Sequence, residues 1–532
     1  MTVKRPRTIF DRAATWWGVL GLEILLLLAP LLTTEYPPLC DLINHMARIY
    51  ILADAGKNPT LAAMYHPVWH VIPNLAIDLI GPALIKLTSV SIAGRILLAI
   101  EIILCLIGTI AFHRATFGVR SYWPLGVGLI LYSGLFLLGF MNFLIGTGLA
   151  LLAAAAAVSK SQILQRVRVP LSCIAAIVIF FCHAWALIFY FVLLGTSELG
   201  IGGLRAKSVW PADLVKSAVH LILPAIVPGL LLYFLTAHSH GDPTIVWGDI
   251  KYRAHMAASP FINYNPAFDM VSLLLVLGTI GTLAFRNALS VPLSTKLTLA
   301  LLGVLFLLCP FSVSGVFFLN ARFALFLAFI LFAGICPRDS NSVPWAVPAG
   351  LLTLLLVARI AIIGEVWRSS RQDIADLRIL GASLPPGSRV LATQVLADED
   401  RAGYYRDQPL ARELRGLAST TYYLPSLWLI ERQAFFPLLF ADPALHPLEV
   451  SEGYRNVSLA SFGFPPDYRA LADHDRAERE VKSSPYLAGW EQHFDYVVVL
   501  NAGRAKHLDS LDTLPLALIG KTDIAALYRI VR

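Results

Sequence analysis

Charged residues are scarce in this chain of 532 residues. They make up 14% of the sequence, whereas hydrophobic residues make up 57%. A soluble globular protein usually carries about 25% charged residues, so most of this chain must face an apolar surrounding. The formal net charge of +7 comes from basic residues that are scattered along the chain, and it does not indicate nucleic-acid binding.

Several catalytic motifs are absent as well. The sequence contains no Walker-type phosphate loop, no GxSxG nucleophile elbow, no HExxH and no GxGxxG. Nucleotide hydrolysis, serine-hydrolase chemistry and zinc-protease chemistry therefore have no support in it. The six cysteines show neither a CxxC pair nor the Cys/His spacing of a metal site, and we interpret them as small apolar packing residues.

Long apolar runs recur from residue 15 to about residue 365. Because a helix needs roughly 20 apolar residues to cross a bilayer, they predict an α-helical polytopic membrane protein with about 11 transmembrane helices. The predicted spans are 15–32, 71–90, 92–112, 122–140, 143–158, 170–195, 215–236, 268–285, 296–312, 320–336 and 344–364.

The opening stretch MTVKRPRTIFDR is strongly basic. Basic residues favour the cytoplasmic side, so we predict a cytoplasmic N-terminus and a first span that acts as an uncleaved anchor. An odd number of spans then places the C-terminus outside. The run at 71–90 carries Asn74, Asp78, Pro82 and Lys86, so an interfacial helix is the alternative to a span there.

Two long polar stretches, residues 33–70 and 237–267, are predicted on the same outer face. The first contains an amphipathic helix over about residues 39–55. Residues 369–532 contain no run long enough to span a bilayer, and they predict a soluble extracytoplasmic α/β domain. A helix is expected within 371–384, and strands are expected within 387–396, 494–501 and 524–532.

The first polar stretch holds the main candidates for chemistry. Asp41, His45 and Arg48 share one face of the predicted helix, because residues four and three apart are neighbours on a helix surface. A carboxylate near the membrane surface can accept a proton from a hydroxyl group or bind a metal ion. The alternative is an interfacial helix that simply shows its polar face to water. The other polar candidates in this stretch are Glu35, His66 and His70.

Basic and polar residues elsewhere provide further candidates. Arg322 lies at the start of a predicted span, where its guanidinium either pairs with a lipid phosphate or snorkels to the interface. Lys251 and Arg253 in the second stretch either bind an anionic substrate or keep the loop soluble. Asn142 and His183 interrupt apolar runs, which indicates a polar cavity or an interhelical hydrogen bond.

Six stretches together resemble the GT-C glycosyltransferase superfamily and, more narrowly, a group of bacterial membrane proteins of that build. They are DLINHMAR, WHVIPNLAID, GFMNFLIGTGLAL, FCHAWAL, NARFALF and LPSLWLIERQAFFPLLFADP. The resemblance implies a multi-spanning enzyme with a polyprenyl-phosphate-linked sugar as donor and an acidic residue in its first extracytoplasmic loop. It assigns that role to Asp41, as the catalytic base or as a ligand of a divalent metal.

The function expected from this resemblance is sugar transfer at the outer face of a bacterial inner membrane, to an envelope glycan, lipid or protein. Asp41 would act on the acceptor hydroxyl, which His45 and Arg48 would hold. Arg322, helped by Lys251 or Arg253, would stabilise the departing phosphate. The expected partners are the lipid-linked donor, the acceptor and membrane lipids, but not nucleic acid; the sequence does not indicate an oligomeric state. Two alternatives stay open, a transporter or flippase of a lipid-linked saccharide and a non-enzymatic envelope assembly or sensor protein.

Overall fold

The structure is a computed structural model that describes residues 13–200, 211–236, 244–338, 346–397, 407–414, 416–459 and 463–532. The basic N-terminal stretch from which we predict the cytoplasmic N-terminus falls largely outside these residues, as does the beginning of the second polar stretch, at 237–243. The described chain is mostly helical.

The helices, in chain order, are α1 Ala13–Leu28, α2 Leu42–Asp54, α3 Pro59–Met64, α4 Ala76–Leu87, α5 Val90–Phe117, α6 Gly128–Leu131, α7 Gly134–Leu138, α8 Met141–Val158, α9 Gln162–Arg166, α10 Arg168–Cys182, α11 Ala184–Glu198, α12 Pro211–Thr236, α13 Ile250–Ala258, α14 Pro266–Phe285, α15 Leu293–Leu308, α16 Leu319–Ala333, α17 Ala346–Ser369, α18 Arg371–Gly381, α19 Ser426–Arg432, α20 His474–Val481 and α21 Trp490–His493. The strands are β1 Tyr65–Pro67, β2 Ile245–Val246, β3 Leu289–Ser290, β4 Ser312–Val313, β5 Cys336–Pro337, β6 Val390–Gln394, β7 Glu413–Leu414, β8 Ala418–Ser419, β9 Leu448–Val450, β10 Tyr496–Leu500, β11 Leu516–Lys521 and β12 Ala525–Ile530.

Six helical stretches of the described chain are long and apolar enough to cross a membrane. They are Ala13–Leu32, Val90–Phe117, Met141–Val158, Ser217–Phe234, Pro266–Phe285 and Ala349–Gly381. Shorter apolar helices occupy Trp123–Leu138, Arg168–Cys182, Ala184–Glu198, Leu293–Leu308 and Leu319–Ala333. The predicted class of helical membrane protein is therefore confirmed, while the exact number of spans stays a prediction.

Three of the predicted spans differ from the structure. The run at 122–140 is divided, because α6 and α7 are separate short helices. The run at 71–90 is not a spanning helix: α4 has 12 residues, and at 1.5 Å per residue it is about 18 Å long, well short of the hydrocarbon core of about 30 Å. The run at 170–195 is interrupted at His183, whose backbone is extended (φ −170°, ψ 134°). The His183 side chain accepts a hydrogen bond from the backbone N–H of Trp185 and so begins α11 as a separate helix.

The chain divides into two compact units. The first comprises Met1–Thr33, Leu98–Phe136 and Met141–Gly364, and the second comprises Thr34–Leu97, Leu137–Phe140 and Glu365–Arg532. The last segment of the second unit thus starts at Glu365, close to the predicted domain boundary after residue 368. It also contains the first polar stretch and α4, which the sequence analysis assigned to the membrane domain. The predicted functional division into 1–368 and 369–532 stays a prediction.

A four-stranded sheet in the order β11-β12-β10-β6 forms the centre of the second unit. β10 runs parallel to β6, with Val498 opposite Ala392, and antiparallel to β12. The buried β-branched residues of β10 suit a strand that is covered on both faces. Three of the strands lie in the segments where strands were predicted, and α18 lies in the segment where a helix was predicted.

The first polar stretch packs against C-terminal residues within this second unit. β1 pairs antiparallel with β9, with Tyr65 opposite Val450, and α2 packs against both α4 and α19. A Cβ atom at Gly81 of α4 would lie 2.6 Å from Cγ2 of Ile49 on α2, so glycine permits the close approach of these two helices. This packing encloses the face of α2 that carries the candidate residues.

In the first unit, polar contacts join helices that are otherwise apolar. Arg359 on α17 forms an ion pair with Asp269 on α14, at 3.1 Å between Nη2 and Oδ1. The other carboxylate oxygen of Asp269 accepts a hydrogen bond from the backbone N–H of Asn263 at 2.6 Å. Because buried charges are costly unless they are paired, this set of contacts fixes the end of the second polar stretch onto the helices.

Candidate active site

Asp41 lies directly before α2 and is held by the short segment between α7 and α8. Its backbone N–H donates to the carbonyl of Leu138 at 3.1 Å, and its own carbonyl accepts from the backbone N–H of His45 at 2.9 Å. Gly139 adopts a positive φ of 90°, and a Cβ atom there would lie 3.1 Å from Cβ of Asp41. Glycine therefore suits this position for two reasons: it adopts a positive φ without strain, and it has no Cβ atom to crowd Asp41.

The Asp41 side chain is buried, with 7% of its residue surface exposed. Burial raises the pKa of its carboxyl from 3.8 to about 7, against the opposing effects of a hydrogen bond with Cys40 and the positive charge of Arg48. A carboxyl with a pKa near 7 is present in both protonation states at neutral pH. That property suits a group that takes up a proton during a reaction.

Arg48 forms a fully buried ion pair with Asp78 on α4. Its Nε donates to Asp78 Oδ1 at 2.7 Å and its Nη2 donates to Asp78 Oδ2 at 3.1 Å, and neither side chain is exposed. A bidentate pair of this kind fixes the plane of the guanidinium. The alternative that α2 simply shows its polar face to water is therefore wrong, because that face is covered by α4 and by C-terminal residues of the same unit.

His45 connects this ion pair to the segment beside Asp41. Nη1 of Arg48 lies 3.1 Å from Nδ1 of His45, and since a guanidinium only donates, Nδ1 must be the acceptor. The remaining proton of the neutral ring is then on Nε2. Burial, together with the charge of Arg48, lowers the pKa of His45 well below its usual value, so the imidazole is neutral.

C-terminal residues complete the surroundings of α2, and two of them, Leu438 and Phe440, lie in the stretch LPSLWLIERQAFFPLLFADP. Asn44 donates from Nδ2 to the carbonyl of Leu438 at 2.9 Å and accepts at Oδ1 from the backbone N–H of Phe440 at 3.0 Å. The Phe440 ring stacks on His446 at 5.6 Å, and His446 meets the His45 ring edge-on at 6.4 Å. His446 lies outside the six resembling stretches and no local pattern marks it, whereas Asp78 was visible as an acid within an apolar run.

The other candidates of the first polar stretch make different contacts. Glu35 forms a bidentate pair with Arg378, at 2.8 and 3.0 Å, and this hydrogen bonding lowers the pKa of Glu35. The His66 ring, about half exposed, lies 3.2 Å from the carboxylate of Glu449. The exposed His70 ring contacts the carbonyl of Val68 at 3.2 Å. The substrate-binding roles predicted for Glu35, His66 and His70 stay predictions.

Arg322 belongs to the first unit and is 4% exposed. Its Nη1 lies 3.1 Å from Nε2 of His183, and its guanidinium lies 5.4 Å from the centroid of the Phe143 ring and 5.9 Å from that of Trp185. The alternative that Arg322 snorkels outward is therefore wrong. A desolvated guanidinium enclosed by aromatic rings is typical of sites that bind anions.

The second polar stretch contributes two cations of different character. Arg253 on α13 donates from Nη1 to the carbonyl of Leu307 at 2.9 Å and lies 5.7 Å from the centroid of the Trp247 ring. Lys251 on the same helix is exposed. Their predicted roles toward an anionic substrate stay predictions.

A divalent metal at Asp41 is not supported by the residues around it. Within the described ranges, no group of three or more His, Cys, Asp or Glu side chains is placed to hold a metal ion. The guanidinium of Arg48, close to Asp41, also opposes a second cation there. We therefore derive no step that involves a metal.

Comparison with solved structures identifies the fold. ArnT from Cupriavidus metallidurans bound to undecaprenyl phosphate matches with a TM-score of 0.53 and 11% sequence identity, over 98% of this chain and 99% of that chain. ArnT of the same organism in the apo state gives 0.47 and 12% over the same shares. No family model matches the chain, and no curated protein sequence does. ArnT is a GT-C glycosyltransferase, so the GT-C-like fold predicted from the sequence is confirmed as a fold.

Proposed function

We propose that this protein is a membrane glycosyltransferase that moves a sugar from a polyprenyl-phosphate-linked donor to an envelope glycan, lipid or protein acceptor. The observation that carries the proposal is the buried carboxyl of Asp41, with its pKa of about 7, directly after the first membrane helix. It is found in a chain that shares the fold of ArnT crystallised with undecaprenyl phosphate.

In the proposed reaction, the carboxylate of Asp41 accepts the proton of an acceptor hydroxyl. The acceptor oxygen forms a bond to C1 of the donor sugar while the bond between C1 and the phosphate oxygen breaks, with inversion at C1. Polyprenyl phosphate departs with the electron pair. A base with a pKa near 7 is well suited to this step, because it is partly ionised at neutral pH and still basic enough to take the proton.

The proposal gives Arg322 the task of stabilising the departing phosphate. Negative charge grows on that phosphate in the transition state, and a buried guanidinium of fixed orientation stabilises such charge more strongly than one in water. Lys251 or Arg253 of the second polar stretch is proposed to help Arg322 in this task; Lys251 is exposed, and Arg253 donates from Nη1 to the carbonyl of Leu307.

The proposed location is the outer face of a bacterial inner membrane, with residues 369–532 outside the cytoplasm. A donor carried by a lipid gives a physical reason for a catalyst embedded among apolar helices, since the donor reaches it by diffusion within the bilayer. Polar donor and acceptor groups would meet at the membrane surface, where Asp41 of the first polar stretch is proposed to lie.

The proposal is tested by mass spectrometry of envelope glycolipids and glycans from a strain that lacks the protein. The strain is complemented, at equal expression, with the natural protein, with Asp41→Asn and with Asp475→Asn, a matched change at an exposed position. We expect the strain without the protein to make a product that lacks one sugar. The natural protein and Asp475→Asn should restore that sugar, and Asp41→Asn should not.

The other outcomes separate the alternatives. Restoration by all three proteins would remove Asp41 from the mechanism and favour transport of a lipid-linked saccharide. An unchanged glycan profile in the strain without the protein would contradict sugar transfer and favour an assembly or sensor role.

A further inference from the structure

A continuous set of buried contacts leads from α4 to Asp41. It begins at Asp78, passes through the bidentate pair with Arg48, and continues from Arg48 Nη1 to His45 Nδ1 at 3.1 Å. The backbone N–H of His45 then donates to the carbonyl of Asp41 at 2.9 Å. Each group in this series fixes the next, because a guanidinium held in one plane leaves the imidazole only one compatible tautomer.

The far end of this series holds the backbone of the proposed catalytic acid. The carbonyls of Leu137 and Leu138 accept from the backbone N–H groups of Cys40 and Asp41, at 3.0 and 3.1 Å. Gly139 is the next residue in the chain and lies against the Asp41 side chain. A shift of the Gly139 peptide would therefore displace Asp41 directly.

We propose that Asp78 is a positioning residue, which holds Asp41 in place through Arg48 and His45 and which balances the charge of Arg48 near Asp41. Asp78 does not touch the reacting atoms in this arrangement. It acts on Asp41 by geometry and by electrostatics. The inference rests on the proposed role of Asp41, but its first test does not measure sugar transfer.

The electrostatic part of the inference depends on which groups near Asp41 carry charge. The Cys40 thiol, the Tyr423 hydroxyl and the Arg48 guanidinium interact with Asp41 itself. The His45 and His446 rings and the Asp78 carboxylate face Arg48. Burial keeps the thiol, the hydroxyl and both rings neutral, because it raises the pKa of the first two and lowers the pKa of the rings. Arg48 and Asp78 are thus the charged groups, and removal of Asp78 leaves a net positive charge beside Asp41.

The first test measures the protonation of Asp41 through stability. Thermal unfolding in detergent is followed against pH for the natural protein and Asp41→Asn, and then for Asp78→Asn and the double variant Asp41→Asn/Asp78→Asn. Within each pair, the stability difference changes with pH until Asp41 ionises in the folded protein, and the pH at which the difference levels off marks the midpoint of that ionisation. We expect this midpoint near pH 7 in the first pair and roughly 1 to 3 pH units lower in the second.

A charge-free replacement of the pair provides the control. The variant Arg48→Met/Asp78→Leu removes both charges, so the midpoint measured with and without Asp41→Asn should return close to that of the natural protein. An unchanged midpoint in Asp78→Asn would overturn the electrostatic part, since a purely structural role leaves the protonation of Asp41 where it was. If Asp78→Asn does not fold, the charge-free variant Arg48→Met/Asp78→Leu decides. An ionisation midpoint of Asp41 in that variant well below the midpoint in the natural protein would overturn the electrostatic part.

The positioning part is tested by sugar transfer in the same variants. Arg48→Met/Asp78→Leu should lower kcat by at least about tenfold with little change in KM, because the acceptor still binds but Asp41 is no longer held. Asp78→Glu, which keeps the charge, should recover more activity than Asp78→Leu. Natural kcat in Arg48→Met/Asp78→Leu would overturn the positioning role, whereas absence of transfer in the natural protein would contradict the proposed function instead.

Discussion

Replacement of Asp41 by asparagine is expected to stabilise the protein at alkaline pH while it abolishes sugar transfer. The carboxyl has a pKa of about 7 in the folded protein against 3.8 for an exposed aspartate. A folded-state pKa that is raised means that the protonated form is favoured by folding. The stabilising effect is complete below pH 3.8 and is lost as the pH rises through about 7, where the buried group must ionise.

The size of the effect follows from the difference between the two pKa values. About 3 pH units at 1.36 kcal/mol each amount to roughly 4 kcal/mol in the free energy of unfolding above pH 7. Near pH 5 the difference is only about 1 to 2 kcal/mol, since the folded protein is still protonated there. Asparagine is close to aspartic acid in shape and does not ionise. From pH 5 to a pH above 7, the free energy of unfolding of Asp41→Asn should therefore rise by about 2 to 3 kcal/mol relative to that of the natural protein.

The assay is thermal unfolding in detergent at about pH 5 and about pH 8, with Asp475→Asn as the exposed control. The unfolding temperature of Asp41→Asn should rise relative to the natural protein between the two conditions, and that of Asp475→Asn should not. A stability difference that is the same at both pH values would refute the reasoning. It would show that Asp41 is already ionised in the folded protein at pH 5 and is not the buried, raised-pKa carboxyl described above.

Two further predictions concern the surroundings of Asp41 and the proposed phosphate site. Asn44→Ala should lower the free energy of unfolding by roughly 2 to 4 kcal/mol, because it leaves a buried carbonyl and a buried N–H without partners; equal unfolding temperatures for Asn44→Ala and the exposed control Asn456→Ala would contradict this. Arg322→Gln should lower kcat for sugar transfer by roughly 100- to 1000-fold, as expected when a positive charge that stabilises the transition state is lost. Transfer close to that of the exposed control Arg114→Gln would rule out the proposed role of Arg322.

The features that could be predicted from the sequence are those with a local pattern. Apolar runs indicated the membrane helices, and the β-branched run YVVVL indicated a buried strand. The spacing of His45 and Arg48 correctly placed them on one helix. The limits of this reasoning appear at 71–90, because an apolar run predicts burial without distinguishing lipid from the interior of the protein. On the face that meets α2, α4 is apolar because it is buried inside the protein.

The arrangement around Asp41 could not be predicted because its parts are distant in sequence. Asp78 lies 30 residues from Arg48, and the segment bound by Asn44 lies 394 residues away. Neither distance follows from helical or strand periodicity. Gly139 was within a predicted span, and its role depends on a positive φ that a single glycine among apolar residues does not reveal.

The bond between Asn44 and Leu438 also has a consequence for biosynthesis. The ribosome makes Asn44 early and must add 394 more residues before its partner exists, which takes roughly 20 to 80 s at typical rates of translation. During that time the apolar helices are already entering the membrane, while the pairing of β1 with β9 must also wait. A chain that terminates before residue 438 therefore lacks the partners of both Asn44 and β1. These contacts of the first polar stretch can form only when the last third of the chain is being made.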